Sequence, residues 1–185
     1  MTYSLSKPEH SAPNLLALAA NLADILQKKG WLMATAESCT GGMIAAACTD
    51  LAGSSNWFER GFVTYSNEAK TEMLGVDAEL IARHGAVSEE VARAMAHGAI
   101  RRSRAQSAVA VTGVAGPGGG SADKPVGTVW FAWATPAGLT SEMRRFDGDR
   151  AAVRQATVRH ALQRLLALLA QPAGQRTDTG INPAA

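Results

Sequence analysis

Apolar and polar positions along the chain follow two alternating periods. Leu15, Leu18, Leu22 and Ile25 recur at helical spacing and predict a helix that Gly30 stops. Three short runs, "WLMATA" (31–36), "GFVTYS" (61–66) and "SAVAVT" (107–112), read as buried strands. A helix is expected from about Thr40 to Leu51, broken by Gly53-Ser54. Asn67 is expected to cap a short helix through Leu74, closed by Gly75. Asp77 caps another that ends at Gly85. Ser88 caps a longer one, with Glu89 and Glu90 in its first turn and Val91, Met95 and Ala99 on its apolar face. "TVWFAWAT" and "LTSEMRRF" flank Pro136-Ala137-Gly138 and predict a hairpin, with Trp130 and Trp133 on opposite faces by parity. A last helix runs from about Asp149 to Leu169 through Val153, Ala156, Leu162 and Leu165. Helices interleaved with strands, plus one hairpin, give an α/β fold: a mixed, mostly parallel sheet with helices on both faces.

The chain has 185 residues, 46% hydrophobic, which suits one globular domain with a substantial core. We expect a single domain over 12–170, a flexible arm at 1–11 and a flexible tail at 171–185. Net charge is +2, with no Lys/Arg block of the kind that marks nucleic-acid binding. The two cysteines, Cys39 and Cys48, fall on one expected helix, so neither a disulfide nor a metal spacing is expected. "MTYSLSKPEH" lacks a signal-peptide core and no apolar run reaches membrane-spanning length, so the expected location is the cytoplasm.

Three stretches carry candidate chemistry. In "ESCTGG" (37–42) a strand passes into a helix beside Ser38, where free amides stabilise negative charge. Two readings stand: a plain helix cap by Ser38 or Thr40, or a nucleophile at an anion-binding helix end. In "TYSNEAK" (64–70) Tyr65 ends a strand and Lys70 falls in the first turn of a helix. The positive end of the helix dipole disfavours a cation there, which suits a neutral general base. The alternative is a lysine that reaches to solvent. "TGVAGPGGG" (112–120) opens a loop of about 15 residues directly after a buried strand, where α/β folds collect ligands. It matches neither the P-loop nor the dinucleotide fingerprint. His84 sits at a helix end, His97 and His160 on helix surfaces, and Arg144, Arg145, Arg150 and Arg154 could supply charge to a phosphate, with solvated arginines as the default.

Taken in order, "TAESCTGG", "GFVTYSNEAK", "GVDAELIARHGAVSEEVARAMA", "TGVAGPGGG", "KPVGTVWFA" and "FDGDR" closely resemble the CinA C-terminal domain family of nicotinamide-nucleotide amidohydrolases, from about Leu15 to Leu169. The resemblance implies a three-layer α/β/α sandwich in a bacterial, cytoplasmic, stand-alone enzyme. It implies deamidation of nicotinamide mononucleotide to nicotinate mononucleotide and ammonia, in pyridine nucleotide (NAD) recycling. It makes Ser38 the nucleophile, with Tyr65 and Lys70 as activating residues. Substrate-binding candidates are Glu37, Thr40, Gly41 and Gly42 in the first stretch, Thr112, Gly113, Gly116, Gly118 and Gly119 in the third, and Arg150. Which glycine stretch holds the oxyanion and which the phosphate stays open. No metal and no cofactor are implied. The expected partner is a small nucleotide substrate, with no nucleic acid or membrane, and a homodimer or higher homo-oligomer stays open. A non-catalytic nucleotide-binding module and a Ser-Lys hydrolase of another amide are the alternatives.

Overall fold

A computed structural model of the chain describes residues 14–171. The expected arm, and all of the expected tail except Gln171, lie outside the described residues. The elements are α1 (Leu15–Lys29), β1 (Met33–Glu37), α2 (Met43–Thr49), β2 (Phe58–Val63), α3 (Asn67–Leu74), α4 (Ala78–His84), α5 (Glu89–Arg101), β3 (Ser107–Gly113), β4 (Thr128–Thr135), β5 (Gly138–Arg145) and α6 (Arg150–Ala170). The sheet order is β2-β1-β3-β4-β5. β1 pairs in parallel with β2 and β3, whereas β4 pairs antiparallel with β3 and β5. Four strands therefore run one way and β4 alone opposes them.

Strand parity divides the sheet into two unlike faces. Met33, Val109, Val111, Phe131 and Trp133 point into a large-residue core with α1, α2 and α6. Ala34, Ala36, Ala108, Ala110, Ala132 and Ala134 point into the other core, under α5. Small side chains on that face let α5 lie close to the sheet. The same closeness recurs between helices: a methyl on Gly98 of α5 would stand 2.2 Å from the Leu74 carbonyl. These two cores, with the sheet between them, make three layers. His160 of α6 is not a surface residue. Its ring packs edge-on against Phe131 and Phe146, and burial holds its pKa below the usual histidine range against the opposing pull of Glu142.

Three boundaries depart from the pattern, each for a local reason. β2 begins at Phe58 because its pairing with β1 begins there, opposite Met33. Ser66, not Asn67, caps α3: its extended backbone turns the hydroxyl onto the Ala69 amide. α2 starts at Met43 rather than near Thr40, since Gly41 and Gly42 hold left-handed backbone (φ +60° and +98°). Cys39 consequently lies in the turn before α2, and only Cys48 is on the helix.

Candidate active site

The parallel register builds the site. Glu37 ends β1 opposite Val63 of β2 and Val111 of β3, so the next residues, Ser38, Thr64 and Thr112, emerge side by side at one edge. The Ser38 amide bonds the Val111 carbonyl at 3.0 Å and the Thr64 amide bonds the Glu37 carbonyl at 2.8 Å, which extends the ladder past the strand ends. β5 runs in the same direction, so the chain leaves it at this edge too and begins α6 there with Arg150. The result is a cleft of about 210 Å³ bounded by Ser38, Tyr65, Lys70, Val87, Gly113 and Arg150, among others.

Ser38 and Lys70 meet in this cleft. Lys70 is 1% exposed, and its Nζ lies 3.1 Å from Ser38 Oγ, 2.9 Å from the Thr64 carbonyl and 3.4 Å from the Ser66 carbonyl. A neutral amine has two N–H donors and one lone pair, and this set of neighbours matches it. The two carbonyls accept, and the lone pair is left for the Ser38 hydroxyl proton. Burial pushes the Lys70 pKa below its ordinary value, against smaller opposing contributions from Cys39 and Glu68. Desolvation, rather than the helix dipole expected from the sequence, is the leading cause, because Lys70 is the fourth residue of α3 and turns inward.

Glu37 is placed differently from its expected role at the substrate. It is fully buried, and its carboxylate accepts from Thr40 Oγ1 (2.7 Å) and from the amides of Gly42 (3.0 Å), Ile44 (3.0 Å) and Ala45 (2.8 Å). It folds the turn that carries Ser38 and caps α2 from below. The Gly41 amide is also engaged, on the Ser38 carbonyl at 3.1 Å. The amides of both glycines are thus engaged within the protein. The Cys39 thiol is buried and its pKa is pushed up to about 12, chiefly by desolvation, which makes it a poor rival to Ser38.

Other candidates fall into three groups. Tyr65 is 60% exposed and its hydroxyl accepts from Arg150 at 2.8 Å; it borders the cleft without a bond to Ser38 or Lys70. Thr112 donates to the Ala86 carbonyl (2.8 Å) and pins the segment before α5 across the cleft. Gly113 is required by packing, since a methyl there would stand 2.7 Å from Val129 Cγ2 and 2.8 Å from the Thr128 carbonyl. Gly116 accepts from Arg150 through its carbonyl, while Gly118 and Gly119 lie out on the loop and do not border the cleft.

The family model for the CinA C-terminal domain matches residues 15–169. The chain belongs to the CinA C-terminal domain family. It is 55% identical over 152 residues to the nicotinamide-nucleotide amidohydrolase PncC of Escherichia coli K12, covering 82% of this chain and 92% of that protein. It is likewise 55% identical to the PncC of Pseudomonas putida over 83% of this chain and 96% of that one. The crystal structure of the competence/damage inducible protein CihA of Agrobacterium tumefaciens superposes with a TM-score of 0.82 at 51% identity, covering 88% of this chain and all of that one.

In this CinA-family domain one residue at the site went unassigned from sequence. Arg154 donates through Nε to the Cys39 carbonyl (3.1 Å) and through a terminal nitrogen to the Thr40 carbonyl (2.8 Å). It holds the outer side of the turn that Glu37 holds from inside. The available signal was its spacing: Arg150 and Arg154 are one helical turn apart at the start of α6.

Proposed function

We propose that the chain is an amidohydrolase that converts nicotinamide mononucleotide to nicotinate mononucleotide and ammonia, with a place in pyridine nucleotide recycling. The observation that carries the mechanism is the buried Lys70 Nζ, 3.1 Å from Ser38 Oγ and without a carboxylate partner among the described residues. The names of the two PncC relatives carry the substrate.

In the first half-reaction, neutral Lys70 takes the Ser38 proton as Oγ bonds to the carboxamide carbon. The negative charge that develops on the carboxamide oxygen is met by backbone amides at the cleft, a contribution of roughly 3 kcal/mol per donor in comparable sites. Lys70, now an ammonium, returns the proton to the departing nitrogen, and ammonia leaves an ester on Ser38. In the second half-reaction water attacks the ester carbon, Lys70 takes the water proton, and the carboxylate product leaves as Ser38 recovers its proton. Tyr65, at the mouth, is oriented by Arg150. The cycle consumes one water and releases one ammonia.

The test is product analysis with nicotinamide mononucleotide. The reading expects ammonia and nicotinate mononucleotide in equal amounts. Free nicotinamide, or no turnover by folded protein, contradicts it.

A further inference from the structure

The titratable side chains that border the reactive cleft are Cys39, Tyr65, Lys70 and Arg150. Among the described residues, no histidine and no carboxylate borders it. Glu37, one residue before Ser38, is taken up by Thr40 and by three amides under the turn. The Cys39 thiol is buried and pushed up to about 12, so it keeps its proton at neutral pH. The Arg150 guanidinium stays charged and is engaged with the Gly116 carbonyl and the Tyr65 hydroxyl. Tyr65 is held by that bond at the mouth, without a bond to Ser38 or Lys70. Lys70 is therefore the one base of the cleft. Its Nζ is also fixed in place, by the carbonyls of Thr64 (2.9 Å) and Ser66 (3.4 Å), with Ser38 Oγ at 3.1 Å. The atom that gives a proton to the departing nitrogen is the atom that takes one from the incoming nucleophile. That nucleophile must then arrive where the ammonia has left, a position that already fits a nitrogen carrying hydrogens.

We propose that the chain has a second activity, acyl transfer from the carboxamide to a small, weakly basic amine such as hydroxylamine. This activity rests on the amidohydrolase reading for its acyl donor. The first half-reaction is unchanged: the carboxamide C–N bond breaks, an ester forms on Ser38 and ammonia leaves. The hydroxylamine nitrogen then bonds to the ester carbon and one of its N–H protons passes to Lys70. The bond from that carbon to Ser38 Oγ breaks, and Oγ takes the proton back from Lys70. The product is the hydroxamic acid of the nucleotide, with no water consumed and no change in oxidation state. Water and amine compete for one position beside one base. A separate base on the far side of the ester would serve water alone, and the cleft has none. Entry is open, since Tyr65 at the mouth is 60% exposed. The acceptor must be weakly basic because only an amine that is unprotonated at neutral pH has a lone pair for the ester carbon.

The test is turnover of nicotinamide mononucleotide in rising hydroxylamine, with carboxylate and hydroxamate products separated and Ser38→Ala as the blank for uncatalysed reaction. Wild type should form hydroxamate, in a ratio to carboxylate that doubles when hydroxylamine doubles. The same ratio is expected when the methyl ester of nicotinate mononucleotide replaces the amide, since both donors pass through one ester on Ser38. At a fixed concentration of unprotonated hydroxylamine the ratio should stay constant from pH 7 to pH 9, because Lys70 activates both nucleophiles. A ratio that differs between donors, or that tracks pH, overturns the shared ester or the shared base. Carboxylate alone at every hydroxylamine concentration overturns acyl transfer and leaves the amidohydrolase reading standing. If folded wild type consumes neither donor, the amidohydrolase reading fails and acyl transfer fails with it.

Discussion

At the scale of single residues, the proposed chemistry turns on Lys70. Its three neighbours suit a neutral amine, and an arginine in its place stays protonated at any working pH. Lys70→Arg is therefore expected to lower kcat by at least about 10²-fold, the low end for loss of a general base; activity within a few-fold of wild type contradicts the role. The lowered pKa also has a stability signature. The unfolded lysine binds its proton below about 10.5, while the folded one releases it at a lower pH. Between those values the unfolded state holds more protons, so stability rises with pH. Wild type should gain on Lys70→Met as pH is raised from 7 to 10 in urea titrations, and a constant difference contradicts the buried neutral form. Cys39 gives the opposite forecast. With its thiol pushed up to about 12, native protein should resist iodoacetamide at pH 8 and react only on unfolding. The positions of Ser38, Tyr65 and Lys70 at strand ends and helix starts were readable from the sequence pattern, and their proposed roles came from the family resemblance. Arg154 was not, because an arginine on a helix looks alike whether it meets solvent or a distant carbonyl.

At the scale of elements, the turn from Ser38 to Gly42 is held from two sides, by Glu37 inside and Arg154 outside. Glu37→Ala strips the acceptor from three amides and one hydroxyl in a buried place, a loss of roughly 3 kcal/mol on ordinary values for unsatisfied groups. Thermal unfolding should show it as a clear drop in Tm with loss of activity; an unchanged Tm contradicts the turn-holding role. Gly98 makes a separate forecast. Alanine favours helices by about 1 kcal/mol over glycine, yet a methyl here meets the Leu74 carbonyl at 2.2 Å. Gly98→Ala should lower Tm, whereas a rise would show that α3 and α5 can part freely. The sequence pattern placed the helix caps at Asp77 and Ser88 correctly, because each side chain reaches an amide two or three residues on. It placed the α2 start too early, because Gly41 and Gly42 take left-handed backbone and delay the first helical residue to Met43.

At the scale of the molecule, the site follows from topology. Three parallel strands bring Ser38, Thr64 and Thr112 to one edge, and β5 returns the chain there to start α6 with its two arginines. The layer order and the hairpin were legible in the alternation of strand and helix periods. Parity placed Trp130 and Trp133 on opposite faces, and they pack against different cores. Strand order was not legible, since it arises from contacts far apart in sequence. In the proposed mechanism Ser38, and not its neighbour Cys39, attacks the carboxamide. Ammonia release from nicotinamide mononucleotide by wild type, Ser38→Ala and Cys39→Ala, with each variant shown folded by its Tm, tests it most directly. The account predicts a loss of at least about 10³-fold in Ser38→Ala and a rate within a few-fold of wild type in Cys39→Ala. Retained turnover in Ser38→Ala, or its loss in folded Cys39→Ala alone, would contradict it.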